Sequence, residues 1–132
     1  FQPVTDPAAS EPVTESDLVH YFHDGAKPRD RWRVGAEFEK FAVERATGRP
    51  PSYDEPGGVR DILQALADRF GWTPHAPRGR LVMLTRDGAC ISIEPGNQVE
   101  FATPPVEHLG ELETHLQRHA AEVRAVVDPE RV

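Results

Sequence analysis

The sequence predicts an α+β domain, a mostly antiparallel sheet with flanking helices. Three observations carry that prediction. Short apolar runs of strand length are separated by tight-turn signals, Asp87-Gly88 and Pro95-Gly96-Asn97. Two longer segments, beginning at Val59 and Val106, repeat apolar residues at helical spacing. Strands linked by hairpins form a run of their own, separate from the helices, which favours an antiparallel sheet over a doubly wound parallel one.

Residues 1–15 hold three prolines and three acids and almost no large apolar side chain after Phe1. Such a stretch buries too little surface to offset its ordering entropy, so a disordered tail is expected before a domain covering 16–132. Ser16-Asp17 open a short helix carrying Leu18, Val19, Tyr21 and Phe22, with Gly25 as its stop. From Trp32 to Val43 the chain alternates: Val34, Ala36 and Phe38 fall on one face, Glu37 and Glu39 on the other. This is the period of a half-buried strand. Residues 45–58, rich in Pro and Gly, form a loop. Val59, Ile62, Leu63, Leu66 and Phe70 then trace a helix closed by Gly71. Leu81 to Thr85 is a strand, Asp87-Gly88 a hairpin turn, Ala89 to Glu94 the returning strand and Gln98 to Phe101 a third. Thr103-Pro104-Pro105 starts a long helix whose stripe runs through Val106, Leu109, Leu112, Leu116, Val123 and Val126.

Composition bounds the function. The chain has 132 residues, 38% of them hydrophobic and 28% charged, enough for one modest core. No apolar run approaches the roughly 18–20 residues of a membrane-spanning helix, so no membrane partner is expected. A net charge of -7 repels phosphate backbones, so no nucleic acid is expected either. The single cysteine, Cys90, excludes an internal disulfide and a Cys-rich zinc module. No basic-then-apolar leader is visible, hence the expectation of a cytoplasmic protein, and a first residue other than Met suggests a partial chain.

Alternation through the three-stranded meander places Ile91 and Ile93 on one face and Cys90, Ser92 and Glu94 on the other. The next strand sets Val99 and Phe101 against Gln98 and Glu100. If the apolar faces coincide, Glu94 and Glu100 emerge together on the polar side, and Glu37 and Glu39 join them once the earlier strand pairs nearby. Like charges gathered in this way raise one another's pKa, and a hard cation such as Mg²⁺ relieves the repulsion. Solvated glutamates on an open sheet face give the same pattern.

The same residues carry a resemblance. Trp32-Arg33-Val34-Gly35-Ala36-Glu37-Phe38-Glu39-Lys40-Phe41 resembles the first-strand motif of the plant and proteobacterial type of glutamate–cysteine ligase. Ile91 to Phe101, with its acid, Pro-Gly, Gln and second acid, resembles that family's second motif. Arg49-Pro50 with Tyr53, the helix from Gly58 to Trp72, and Leu18 to Trp32 follow the family as well. The resemblance implies a glutamine-synthetase-like fold and an ATP-dependent ligation in which a glutamate carboxylate is phosphorylated and then attacked by the cysteine amine. It also implies two or three Mg²⁺ ions on Glu37, Glu39, Glu94 and Glu100, with Gln98 near the metals and phosphates; Arg33, by its charge rather than by the resemblance, is a candidate contact to phosphate or substrate. The family runs to several hundred residues, so this chain is expected to be the N-terminal part of an enzyme completed by a C-terminal portion. Ala36 and Phe38 stand where the family's motif usually has Thr and His, which is expected to thin the polar support around Glu37 and Glu39. Ala102-Thr103-Pro104 replaces a Leu-Ser-Gly-like segment, leaving a different amine acceptor open. A truncated homologue that binds without catalysing is the alternative outside enzymes.

Other candidates are weaker. His115 and His119 have the spacing of a zinc pair but lack a third ligand, so His108, His115 and His119 are expected on a solvent-facing helix flank. His20 and His23 are expected on the surface of the first helix. Cys90, among carboxylates, is expected to be a poor thiolate. Arg29, Arg31, Arg33, Arg78 and Arg80 could meet phosphate, although salt bridges to the surplus of acids are the commoner fate. Gly57-Gly58 lacks the spacing and the Lys of a phosphate loop. Tyr53 and Trp72 are expected to cover the sheet edge.

Overall fold

The computed structural model describes residues 12–127, so the Pro-rich stretch of residues 1–11 lies outside the described residues. The chain divides between Trp32 and Arg33 into two compact units. The first holds helix α1 (Glu15–Gly25). Its cap is Thr14, two residues ahead of the expected start. The Thr14 hydroxyl accepts from the Asp17 N–H at 3.2 Å, and the Asp17 carboxylate accepts from the Thr14 N–H at 2.8 Å. The Thr14 hydroxyl also donates to the Asp17 carboxylate at 2.7 Å, and that bond, with the one from the Thr14 N–H, holds the carboxyl below its ordinary pKa. α1 buries none of its residues. A single 3₁₀ turn follows at Arg29–Arg31, and the Trp32 indole N–H donates to the Lys27 carbonyl at 2.8 Å.

The second unit is a five-stranded antiparallel sheet with two helices. In chain order these are β1 (Glu37–Lys40), α2 (Val59–Phe70), β2 (Thr73–His75), β3 (Met83–Arg86), β4 (Ala89–Glu94), β5 (Gln98–Ala102) and α3 (Leu109–Val126). The order across the sheet is β1-β5-β4-β3-β2. β3, β4 and β5 form the expected meander. Asp87 and Gly88 both take positive φ (51° and 80°), the backbone of the two-residue hairpin turn that matches strand twist. Gly96 and Asn97 do the same at the second turn, with φ of 80° and 61°. Asn is among the few non-glycine residues that accept this conformation readily.

The register aligns Phe38, Phe101, Ile91, Leu84 and Pro74 in one row across the five strands. Phe101, Ile91 and Leu84 are buried and form one core with Val59, Ile62, Leu63 and Leu66 of α2. Each such side chain contributes about 1.5–3 kcal/mol on leaving water. Gly71, at φ 70°, closes α2 by donating its N–H to the Ala67 carbonyl. Gly58 starts the same helix. A Cβ there would stand 2.2 Å from the Ser52 carbonyl oxygen and 2.8 Å from that of Glu55. Close packing against the preceding loop therefore explains this glycine without any phosphate.

Five expectations are corrected. The strand expected over Trp32 to Val43 is regular only from Glu37 to Lys40. Upstream, Thr103 still pairs with Ala36, donating its N–H to the Ala36 carbonyl at 2.9 Å, but Val34 pairs with Val106. The extra residue on that side falls at Pro104-Pro105, which have no N–H to give a ladder. For the same reason α3 begins at Leu109 rather than just after the prolines. Val106 is a buried bridge residue, and the Glu111 carboxylate accepts from the His108 N–H at 2.9 Å where the helix starts. β2 carries no strand signal in the sequence, yet it pairs with β3. Finally, Tyr53 and Trp72 do not merely cover an edge. Both are core residues: the Tyr53 hydroxyl donates to the Leu81 carbonyl at 2.7 Å, and the Trp72 indole donates to Glu122 at 2.9 Å.

The largest departure is His119. Instead of lying on a solvent-facing flank, its side chain is 2% exposed and stacks on the Phe101 ring at 4.2 Å. Neither ring nitrogen has a hydrogen-bond partner among the described residues. A cavity of about 30 Å³ beside it, bordered by Trp72, Arg86, His115 and Arg118, has room for one water molecule. One helical turn on, Glu122 is also buried. Its carboxylate accepts from Arg86 at 2.8 Å, Arg118 at 3.1 Å and Trp72. Burial alone would raise the Glu122 pKa; these donors outweigh it and hold the carboxyl below its usual value.

Candidate functional site

The face opposite the helices is built by the same alternation that builds the core. Glu39 lies directly across from Glu100, and on the other side Glu100 lies across from Ser92. Glu37 is opposite Ala102, and Glu94 is opposite Gln98. Glu100 is therefore the hub, with Glu39 beside it and Glu37 and Glu94 on its two diagonals. Neighbours of this kind put Cβ atoms about 5 Å apart directly and about 7–8 Å apart diagonally. Glu37 and Glu94 are two strands and four residues apart, roughly 16 Å at ordinary strand spacing. The four carboxylates form a diagonal band rather than a ring.

The electrostatics follow. Partial burial pushes the Glu100 carboxyl above its ordinary pKa, and the charges of Glu37, Glu94 and Glu39 push in the same direction. A hydrogen bond involving Ser92 works weakly against them. Cys90, on the same face, also has its pKa raised, first by burial and then by Glu100, so it is a poor thiolate. Gln98, half-buried beside Glu94, supplies an amide on the same face.

Carboxylates and an amide are hard oxygen donors, the set that suits Mg²⁺ rather than zinc. Among the described residues, no three His, Cys, Asp or Glu side chains already converge into a closed cation site. An open band fits an ion that keeps part of its shell for water or phosphate oxygens, as Mg²⁺ does, and fits a buried all-protein cage badly.

The remaining candidates fall elsewhere. Arg33 forms an ion pair with Glu107. Arg80 lies 3.9 Å from Asp54 and over the Tyr53 ring. Ala36 and Phe38 alternate with Glu37 and Glu39, and Phe38 packs against the core on the helix side. Their substitution for Thr and His therefore does not strip polar groups from around the acids, as expected from the sequence; it changes the opposite face. Thr85 and His75 carry no site signal in the sequence. They lie on the acidic face at its far edge, joined by a 2.7 Å hydrogen bond between Thr85 Oγ1 and His75 Nε2.

A sheet that is apolar on its helix side and carboxylate-rich on the other defines an α+β protein with one solvent-facing chemical face. The chain belongs to the glutamate-cysteine ligase family 2, whose model matches residues 33–131. It is 40% identical over 117 residues to glutamate–cysteine ligase A, chloroplastic, of Oryza sativa subsp. japonica, covering 89% of this chain and 23% of that protein. Against the chloroplastic glutamate–cysteine ligase of Solanum lycopersicum it is 37% identical over 120 residues, or 91% of this chain and 22% of the relative. The Arabidopsis thaliana enzyme is 35% identical over the same length. The chain thus spans under a quarter of the curated relatives it matches.

Proposed function

We propose that this chain is the N-terminal part of an ATP-dependent glutamate–cysteine ligase with a glutamine-synthetase-like fold, and that it supplies the enzyme's Mg²⁺-binding sheet face. The observation that carries the proposal is the placement of Glu100 opposite Glu39 and diagonal to Glu37 and Glu94. All three neighbours raise its pKa, an arrangement that costs stability unless a cation occupies it. Glu37, Glu39 and Glu100 would hold one ion at one end of the band. Glu94 and Glu100, with Gln98 beside them, would hold another at the opposite end, so Glu100 is shared.

Bound there, Mg²⁺ supplies charge neutralisation for the polyphosphate of ATP. The chain's own residues do the rest by position. β1, β4 and β5 fix the spacing of the acids far more rigidly than a loop would. Gln98 offers an uncharged amide N–H₂ where a phosphate oxygen would sit, and the glutamate to be activated is placed against this face. Transfer of the γ-phosphoryl group to the glutamate side-chain carboxylate gives an acyl phosphate and ADP. Attack by the cysteine amine then forms the amide and releases phosphate.

The test is Mg²⁺-dependent ADP release by the complete gene product, with glutamate alone and then with single added amines. Release that rises with cysteine supports the ligase. A rise with another amine keeps the chemistry and changes the product. No release with any pair, from a folded protein, overturns it in favour of a non-catalytic homologue. Glu94→Gln is expected to abolish turnover with folding nearly unchanged; full turnover would remove Glu94 from the site.

A further inference from the structure

The helix side of the sheet carries a second concave feature, opposite in charge to the acidic face. A groove of about 470 Å³ runs along edge strand β1, with Ile62, Val99, Val123 and Val127 as its apolar wall. Its cationic residues are Lys40, Arg45 and Arg124, and no carboxylate among the described residues lines it, in a chain whose net charge is -7. Elsewhere in the same unit Arg33, Arg49, Arg60, Arg86 and Arg118 each pair with an acid. Among the described residues the three groove cations have no carboxylate partner. The half-buried Lys40 ammonium donates to the Phe38 carbonyl at 3.2 Å. Arg45 and Arg124 are exposed and Lys40 is half-buried, and an apolar wall beside cations with no counter-charge among the described residues is costly to leave in water.

We propose that this groove is the docking site for a polypeptide segment of the family-length ligase that lies beyond these 132 residues. The segment sets apolar side chains on Ile62, Val99, Val123 and Val127 and places carboxylates on Lys40, Arg45 and Arg124. This rests on the chain being part of a longer ligase. Two observations select that occupant. The rice relative carries more than four times the length matched here, since the chain spans 23% of it, and that polypeptide must pack against something. The groove's charge asks for an acidic partner with an apolar face, and its volume lies in the range that holds several side chains.

The experiment uses the intact gene product. Phenylglyoxal labels arginines and acetic anhydride labels lysines, in native buffer and again in denaturant, and peptide mass spectrometry reads each site. Arg45, Arg124 and Lys40 are expected to react at least tenfold more slowly in the native protein, while exposed Arg78 changes little. The double variant Arg45→Glu/Arg124→Glu is expected to bring Lys40 acylation within about threefold of its denatured rate. Native rates equal to denatured rates at all three sites overturn the proposal. So does protection that appears only as protein concentration rises, which assigns the groove to a second copy. Glu94→Gln leaves the labelling pattern intact while removing turnover, so loss of ligase activity and loss of docking register in separate readouts. An intact product of only 132 residues with an unprotected groove overturns the docking and the longer-enzyme reading together.

Discussion

Burying an imidazole whose nitrogens are both unpartnered makes the stability of this fold depend on acid. The His119 pKa falls from 6.5 to about 4, first because burial disfavours the charged ring and then because Lys40 and Arg86 add positive charge. Glu122 pulls the other way but is already engaged by Trp72, Arg86 and Arg118. His115, Arg118 and Asp87 border the same cavity. Between pH 6.5 and about 4 the unfolded chain binds a proton that the folded chain refuses, so stability falls as pH falls across that window and is unaffected above it. At 1.36 kcal/mol per pKa unit, the loss reaches about 3 kcal/mol at the acid end. The perturbation is His119→Leu, which removes the titration and orphans no polar group. At pH 7 it forfeits only the ring stack, about 0.5–1.5 kcal/mol. Urea unfolding followed by tryptophan fluorescence at pH 7, 6, 5 and 4.5 measures both proteins. The wild type is expected to lose stability on acidification faster than the variant, by about 2.4 kcal/mol between pH 7 and 4.5. Parallel curves for the two proteins would refute the reasoning.

Two further predictions concern the charged groups. Glu122→Ala strips the buried acceptor from Arg86, whose side chain is only 14% exposed, and is expected to cost about 3 kcal/mol in urea unfolding at unchanged m-value. Glu100→Gln is expected to stabilise the metal-free protein at pH 7 by about 0.2–1 kcal/mol, the scale of a like-charge cross-strand pair. Because the folded-state pKa of Glu100 is raised, the wild type recovers as pH falls and the variant's advantage disappears below pH 4.5. Differential scanning calorimetry at pH 7 and pH 4 reads both, and a variant less stable at pH 7 would contradict the assigned repulsion.

The acidic face was legible because strand alternation has a period of two. Once Ile91, Ile93, Val99 and Phe101 are assigned to the core, the positions of Glu94, Gln98 and Glu100 follow, and the two tight turns set the register. β2 was hidden for a physical reason. A three-residue segment with Pro in its middle reads as a break, and Pro74 is tolerated because this strand lies at the sheet edge. The start of α3 is not legible because Pro-Pro after Thr suits a helix N-terminus as well as a bulge, and only the distant partner Val34 decides between them. His119 and Glu122 face inward among apolar positions of one helix. A polar residue on such a stripe looks like solvent-facing sequence until its partners, Phe101, Trp72 and Arg86, are brought from far along the chain.

The pairing of β1 with β5 also dictates an order of assembly. β3, β4 and β5 are joined by two short turns, so the half of the acidic band carried by Glu94, Gln98 and Glu100 can form by local contacts. Glu37 and Glu39 arrive only when a long intervening stretch, α2 included, is closed into a loop, and the entropy of that closure is spent late. The same step brings Glu39 against Glu100, so repulsion opposes the last strand to dock. A substitution that removes either charge would then act on the rate of folding as well as on the finished sheet.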